Sequence, residues 1–231
     1  MKPTIVLLHG ALGSERQMEK IADRFKSEYR VLSFNFKGHG GENPGASFSI
    51  QGFVDQMKAF VEENNLSKFS IFGFSLGGYV ALKYAMTKHQ EIQEIFTFGT
   101  KFNWTKESAA REVQKLNPAI LEEKVPQFAN LLKQTHGEEN WTAVLKNTGD
   151  LMMSLGAAPS FIEEDLSNIT CLVQINIGAE DDMVSIEESE VVANALPNAS
   201  FKVIAEAPHP IDQLNEAQMK EISTSAIEKI Y

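Results

Sequence analysis

Residues 73–78 read Gly73-Phe74-Ser75-Leu76-Gly77-Gly78. The serine stands in a G-x-S-x-G pattern. An apolar run, Phe69–Phe74, leads into it, and a helical pattern, Leu76–Met86, leads out. A serine at so tight a strand-to-helix turn is held in a strained conformation. Bulky neighbours would collide there, so small residues flank it. The helix that follows points backbone N–H groups and the positive end of its dipole at developing negative charge. The pentapeptide by itself recurs by chance. Placed between strand and helix, it marks Ser75 as a nucleophile rather than an ordinary helix N-cap.

Similar apolar runs lie on both sides of this turn: Thr4–Leu8, Val31–Phe34, Ile95–Phe98, Leu172–Ile177 and Ser200–Ile204. Runs this continuous suit parallel strands covered on both faces. Helical patterns separate them. Phe53, Met57, Phe60 and Val61 recur at helical spacing, as do Val80, Leu82, Tyr84 and Ala85. Ser14 with Gln17, and Ser185 with Glu188, carry the spacing of a capping box. Strand–helix alternation of this kind implies a parallel sheet with right-handed crossovers. It is interrupted once. Between Gly99 and Cys171, the stretches Lys106–Leu116, Pro118–Thr135 and Asn140–Leu155 are all helix-like, too much for one crossover. The pattern predicts a helical lid over residues 101–167, inserted into a core made of residues 1–100 and 168–231.

A nucleophilic serine needs a base. The chain has five histidines: His9, His39, His89, His136 and His209. His209 follows the last strand in a turn-rich loop, Glu206-Ala207-Pro208-His209-Pro210. Loops at the C-terminal ends of parallel strands gather on one edge, which brings Ser75 and His209 together. His39, in Gly38-His39-Gly40-Gly41, comes too early in the chain. His89 and His136 lie at polar helix ends and read as solvent-facing. His9 reads as a brace for the loop after the first strand. The base needs an orienting carboxylate. Asp181 stands in the loop after Leu172–Ile177, with Glu180 and Asp182 as adjacent rivals. For the oxyanion, Leu76 N–H is one donor. The small-residue loop Gly10-Ala11-Leu12-Gly13 offers Ala11 N–H as a second, with Leu12 as rival. Phe102, Trp104 and Met152 are candidates for the acyl pocket, against the alternative of helical core packing.

His9-Gly10, Gly38-His39-Gly40, Gly73–Gly78, Gly178-Ala179-Glu180-Asp181 and His209 together resemble the α/β-hydrolase fold superfamily. The likeness covers nearly the whole chain apart from the lid. It is nearest, by pattern, to small esterase and carboxylesterase-like members with a helical cap. The resemblance implies a Ser75–His209–Asp181 triad, oxyanion donors at Ala11 and Leu76, and hydrolysis through an acyl-enzyme without a cofactor. Many members begin with an antiparallel hairpin, for which Met1 leaves no room here. The expected sheet is therefore six-stranded and all parallel, with Val31–Phe34 at one edge. Some relatives acting on menaquinone precursors carry an arginine where Tyr79 stands, so that activity is not expected.

Other classes fit less well. A net charge of −10 over 231 residues offers no basic patch for nucleic acid. The acidic run Glu187 to Glu190 reads as a solvated helix face. No H-E-x-x-H or close His/Cys spacing suggests a metal, and the glycines lack the Gly-Lys-Ser/Thr end of a phosphate loop. Cys171, the single cysteine, opens an apolar run and reads as a core residue. No signal peptide or membrane span is evident, which leads to a cytoplasmic expectation. The expected partner is a small ester. A lyase or acyltransferase with the same triad, or a binding protein on this fold, are the rival readings. Nothing in the sequence sets the oligomeric state.

Overall fold

The computed structural model describes residues 2–87, 90–158, 161 and 163–224. Six strands form the sheet: β1 (Thr4–Leu8), β2 (Arg30–Ser33), β3 (Phe69–Phe74), β4 (Ile92–Phe98), β5 (Leu172–Glu180) and β6 (Ala199–Pro208). They lie in the order β2-β1-β3-β4-β5-β6, and every neighbouring pair is parallel. This is the all-parallel sheet expected, with β2 on one edge. The last two strands run several residues further than their apolar cores suggest, and β5 ends in the loop that carries Asp181.

Side-chain alternation on the strands feeds two cores. Ile5 and Leu7 of β1, Phe72 and Phe74 of β3, and Phe96 and Phe98 of β4 face one side. There they meet α1 (Glu19–Phe25) and α10 (Glu216–Ile222) through Ile21, Phe25, Met219 and Ile222. Val6 and Leu8, Phe69 and Ile71, and Ile95 face the other side. That side is covered by α2 (Ile50–Glu63), α3 (Leu76–Ala85) and α9 (Ile186–Ala195). Each large apolar side chain so buried stabilises the fold by roughly 1.5–3 kcal/mol before conformational entropy is counted.

The chain leaves β1 across one face to reach β2, then returns across the other face to β3. The loops after β1 and β3 therefore diverge, which is where ligand sites form in open α/β sheets. Ser75 and the Ala11 loop flank that point. Gly77 lets the two sides approach. A β-carbon on Gly77 would collide with the Leu8 backbone carbonyl at the end of β1, so only glycine allows α3 to sit this close to the strand that carries the Ala11 loop.

Between β4 and β5 lie α4 (Lys106–Gln114), α5 (Pro118–Lys124), α6 (Pro126–His136), α7 (Trp141–Ala157) and α8 (Glu163–Leu166). The stretch read as one helix, Pro118–Thr135, is two. Val125 takes φ −137°, ψ 54°, and Pro126 starts α6 at a position where its missing N–H costs nothing.

Three further readings are corrected. Ser14 makes no capping hydrogen bond, because residues 15–18 form a 3-10 turn instead of the first turn of an α-helix. The Gln17 side chain instead accepts a hydrogen bond from Gly10 N–H at 3.0 Å. Ser185 and Glu188 do form a capping box, but Glu188 is not on a solvated face. Its carboxylate accepts hydrogen bonds from the Lys101 ammonium (3.0 Å) and the Phe102 N–H (2.9 Å), each more than eighty residues away. His136 is fully buried rather than solvent-facing. His89 lies outside the described residues.

Candidate active site

Ser75 sits at φ 49°, ψ −111°, a conformation that costs an ordinary residue about 1–3 kcal/mol. Hydrogen bonds hold it there. Ser75 N–H donates to the Phe98 carbonyl of β4 at 2.9 Å, and the Ser75 carbonyl accepts from the Gly78 and Tyr79 N–H groups at 3.1 and 3.2 Å. The Thr100 hydroxyl donates to the same carbonyl at 3.2 Å. Leu76 opens α3, and N–H groups in a helix's first turn have no helical acceptor. Its N–H is thus a donor at the place the elbow requires.

The carboxylate rivals are separated by geometry. Asp181 has no exposed side-chain surface, and its Oδ2 accepts from His209 Nδ1 at 2.7 Å. Its Oδ1 accepts from the N–H groups of Met183 and Val184 at 2.9 and 2.8 Å. Asp182 instead points outward, with 79% of its side chain exposed, and reaches Lys115 at 3.6 Å. Glu180 is exposed. Three charge-assisted hydrogen bonds fix one Asp181 carboxylate orientation, and Nε2 is the imidazole nitrogen that Asp181 does not engage. Gly99, at φ +61°, passes beside this pair. A β-carbon there would stand 3.2 Å from His209 Nδ1 and 3.3 Å from Asp181 Oδ2. The His209 ring rests on Phe74, with centroids 5.4 Å apart, so the strand that leads into Ser75 also seats the histidine.

A narrow cavity of about 30 Å³ adjoins the serine, room for one or two waters. Ala11, Ser75, Leu76, Trp104 and Met152 all border it. Phe102 does not. It is buried against Phe161 and borders a separate cleft of about 720 Å³, of which Trp104 is also a wall. Four of the five candidate pocket and oxyanion residues therefore converge on Ser75.

Two polar groups at the cavity escape sequence reasoning. Lys101 lies in its wall and donates to the Met183 carbonyl at 3.2 Å and to Glu188 at 3.0 Å. Its place just past the end of β4, where sites in such sheets gather, is the signal that could have found it. Thr148 of α7 brings a buried hydroxyl with no partner among the described residues. Nothing in the sequence of α7 distinguishes it. Cys171 is half-buried, and burial pushes its thiol up to about 11, so it is held as a neutral thiol. No group of histidine, cysteine or carboxylate side chains among the described residues is arranged to hold a metal ion.

His9, His39 and His136 are all buried. Burial lowers His9 to about 3, helped by the neighbouring His39. Burial lowers His136 to about 4, again with a contribution from His39. The unfolded chain would titrate both near 6.5. Between 6.5 and 4 the unfolded state therefore binds more protons. The stability from keeping these rings neutral is full above 6.5 and falls as the pH drops, by about 1.4 kcal/mol per pH unit for each histidine. Urea midpoints are expected to fall between pH 7 and pH 5. A midpoint unchanged across that interval would contradict the assignment.

The parallel sheet, its crossovers and the strand–Ser75–helix turn are those of the α/β-hydrolase fold. Residues 1–218 match the family model described as serine aminopeptidase, S33, and the chain belongs to that family. Over 105 residues, 42% of this chain, it is 30% identical to 1-acylglycerol-3-phosphate O-acyltransferase of Arabidopsis thaliana. The chain spans about a quarter of the length of the first curated relatives it matches. The enol-lactonase of Burkholderia xenovorans LB400 superposes with a TM-score of 0.77 at 16% identity, covering 96% of this chain and 90% of that one. A thermophilic esterase from Thermogutta terrifontis gives 0.71 at 17% identity, over 96% and 85%. At such identities the two structures establish the shared fold. No helix among the described residues is long and apolar enough to cross a membrane.

Proposed function

We propose that this enzyme cleaves a small, mostly apolar carboxylic ester or thioester through an acyl-enzyme on Ser75. The observation that carries the reading is the buried Asp181–His209 pair at 2.7 Å, on the same sheet edge as a serine held at positive φ. His209 Nε2 takes the Ser75 proton as Oγ attacks the carbonyl. The Ala11 and Leu76 N–H groups stabilise the oxyanion, and His209⁺ then protonates the leaving group. Water repeats the cycle on the acyl-enzyme. The inserted helices act as a lid. Leu151, Met152 and Leu155 of α7 close the cavity over Ser75, so an acyl group enters only as they and Trp104 move apart. The apolar lining selects a neutral acyl chain, and the Thr148 hydroxyl is the polar group available to orient it.

The test is hydrolysis of p-nitrophenyl esters from acetate to dodecanoate. Turnover is expected to favour the short chains, because the cavity is narrow. A fluorophosphonate is expected to add to Ser75 stoichiometrically, read by the mass of the labelled peptide. Absence of both turnover and labelling would refute the reading. The likeness to the plant acyltransferase favours a second outcome, transfer of the acyl group to an alcohol. Product analysis with an added alcohol separates the two, since transfer yields a new ester in place of the free acid.

A further inference from the structure

Three successive carbonyls of the loop after β1 are each held by a different buried histidine. His9 Nδ1 donates to the Gly10 carbonyl at 2.7 Å. His39 Nε2 donates to the Ala11 carbonyl at 2.7 Å. His136 Nε2 donates to the Leu12 carbonyl at 3.0 Å. Two of these rings also accept a backbone N–H on the opposite nitrogen, His9 from Phe36 at 3.0 Å and His136 from Gly40 at 3.3 Å. Each of those two is thereby fixed as one neutral tautomer, one nitrogen donating and the other accepting. The rings lie against one another, with centroids 5.2 Å apart for His9 and His39 and 5.7 Å for His39 and His136.

The three do not come from equivalent places. His9 and His39 belong to the core and follow β1 and β2. His136 is the last residue of α6, within the inserted helices and 124 residues from Leu12. A second link runs beside it. The Asn147 side chain of α7 donates to the Pro44 carbonyl at 3.3 Å, in the same loop region that contributes His39 and Gly40. The inserted helices are thus tied to the loops that shape the oxyanion side of the site, and the tie nearest the Ala11 N–H is His136.

We infer that His136 is a positioning residue, through which the inserted helices set the Leu12–Gly13 peptide and, through the two adjoining peptides held by His39 and His9, the oxyanion donor. The Leu12 carbonyl lies in the Leu12–Gly13 peptide plane, and the Ala11 N–H lies in the Gly10–Ala11 plane, whose carbonyl His9 holds; His39 holds the plane between them, so His136 fixes the far end of three consecutive rigid planes that turn about shared α-carbons. Displacing the inserted helices removes that donor, and the loop relaxes. Closure of the helices and assembly of the oxyanion site are in this way one event. The catalytic half of the inference rests on the ester-hydrolase reading; the mechanical half does not.

The experiment compares His136→Leu, which fills the space without either hydrogen bond, with His136→Gln, whose amide can donate to Leu12 and accept from Gly40. Leu132→Ala, in the buried apolar cluster of the inserted helices against which Leu12 packs, serves as a control that loosens this packing while leaving both His136 hydrogen bonds in place. Deuterium uptake of the peptide covering residues 9–13 is read alongside kcat and KM on a p-nitrophenyl ester. His136→Leu is expected to lose protection in that peptide. It should also lower kcat about ten- to a hundredfold with KM within about twofold, the signature of a misplaced transition-state donor. His136→Gln should restore both to within about threefold. If Leu132→Ala, at a matched urea midpoint, lowers kcat and loop protection as much, the role is merely structural and the inference fails. Unchanged protection in His136→Leu also overturns it. Altered protection in a protein whose wild type hydrolyses no ester would retain the positioning role and refute the ester reading alone.

Discussion

Ser75→Ala is expected to lower kcat for a p-nitrophenyl ester by about 10⁴-fold or more, with the fold intact. The alanine removes only Oγ. The hydrogen bonds that hold the elbow run from the Ser75 N–H to Phe98 and from Gly78, Tyr79 and Thr100 to the Ser75 carbonyl, and all of them survive. The backbone at φ 49° stays in place, so the oxyanion donors stay in place too. Residual turnover above the uncatalysed rate is therefore expected, since those donors still stabilise attack by water. Fluorophosphonate labelling should vanish completely. A Ser75→Ala protein that kept more than a tenth of the wild-type kcat would show that the nucleophile is elsewhere.

Asp181→Asn is expected to cost a comparable factor, about 10⁴ in kcat, by a different route. Oδ1 of Asp181 accepts two backbone N–H groups and Oδ2 accepts from His209 Nδ1. In asparagine the amide oxygen must serve the two N–H groups, which turns the NH₂ toward His209. The imidazole then has to accept at Nδ1 and carry its proton on Nε2, the nitrogen that should take the proton from Ser75. Nitrogen-15 NMR of the ring is expected to show the proton moving from Nδ1 to Nε2. Asp182→Asn supplies the comparison. That carboxylate is 79% exposed, and its replacement should change kcat by less than about twofold. Equal losses in the two variants would mean that Asp181 does not act through the histidine tautomer.

The β3–Ser75–α3 turn is legible in the amino-acid sequence because its chemistry is local: an apolar run, a serine and glycines that leave room for a crossing backbone. Five of the six strands announce themselves as apolar runs whose ends fall within about three residues of those in the fold. The exception, β6, runs on to Pro208 beyond its apolar part, because sheet edges tolerate polar residues that hydropathy cannot place. The break at Pro126 is hidden, since helical periodicity continues through it on both sides. The burial of His136 is hidden for a related reason. Its neighbours in the sequence are polar, and what buries it is a loop 124 residues distant.

The sequence by itself determined the layout of the chain: a parallel sheet, a serine in a tight glycine-flanked turn after β3, and an acidic loop and a histidine after the last two strands. Those follow from period, glycine sterics and chain order, all of which are local or topological. Only the tertiary structure decided which of three adjacent acids turns inward, that Phe102 faces a different cleft from Ser75, that Lys101 and Glu188 meet beside the cavity, and that three histidines hold three carbonyls in a row. Each of these is a choice of direction for a polar or aromatic side chain. Burial without a partner would make that direction costly, and the partners that make it favourable come from segments that chain order alone does not bring face to face.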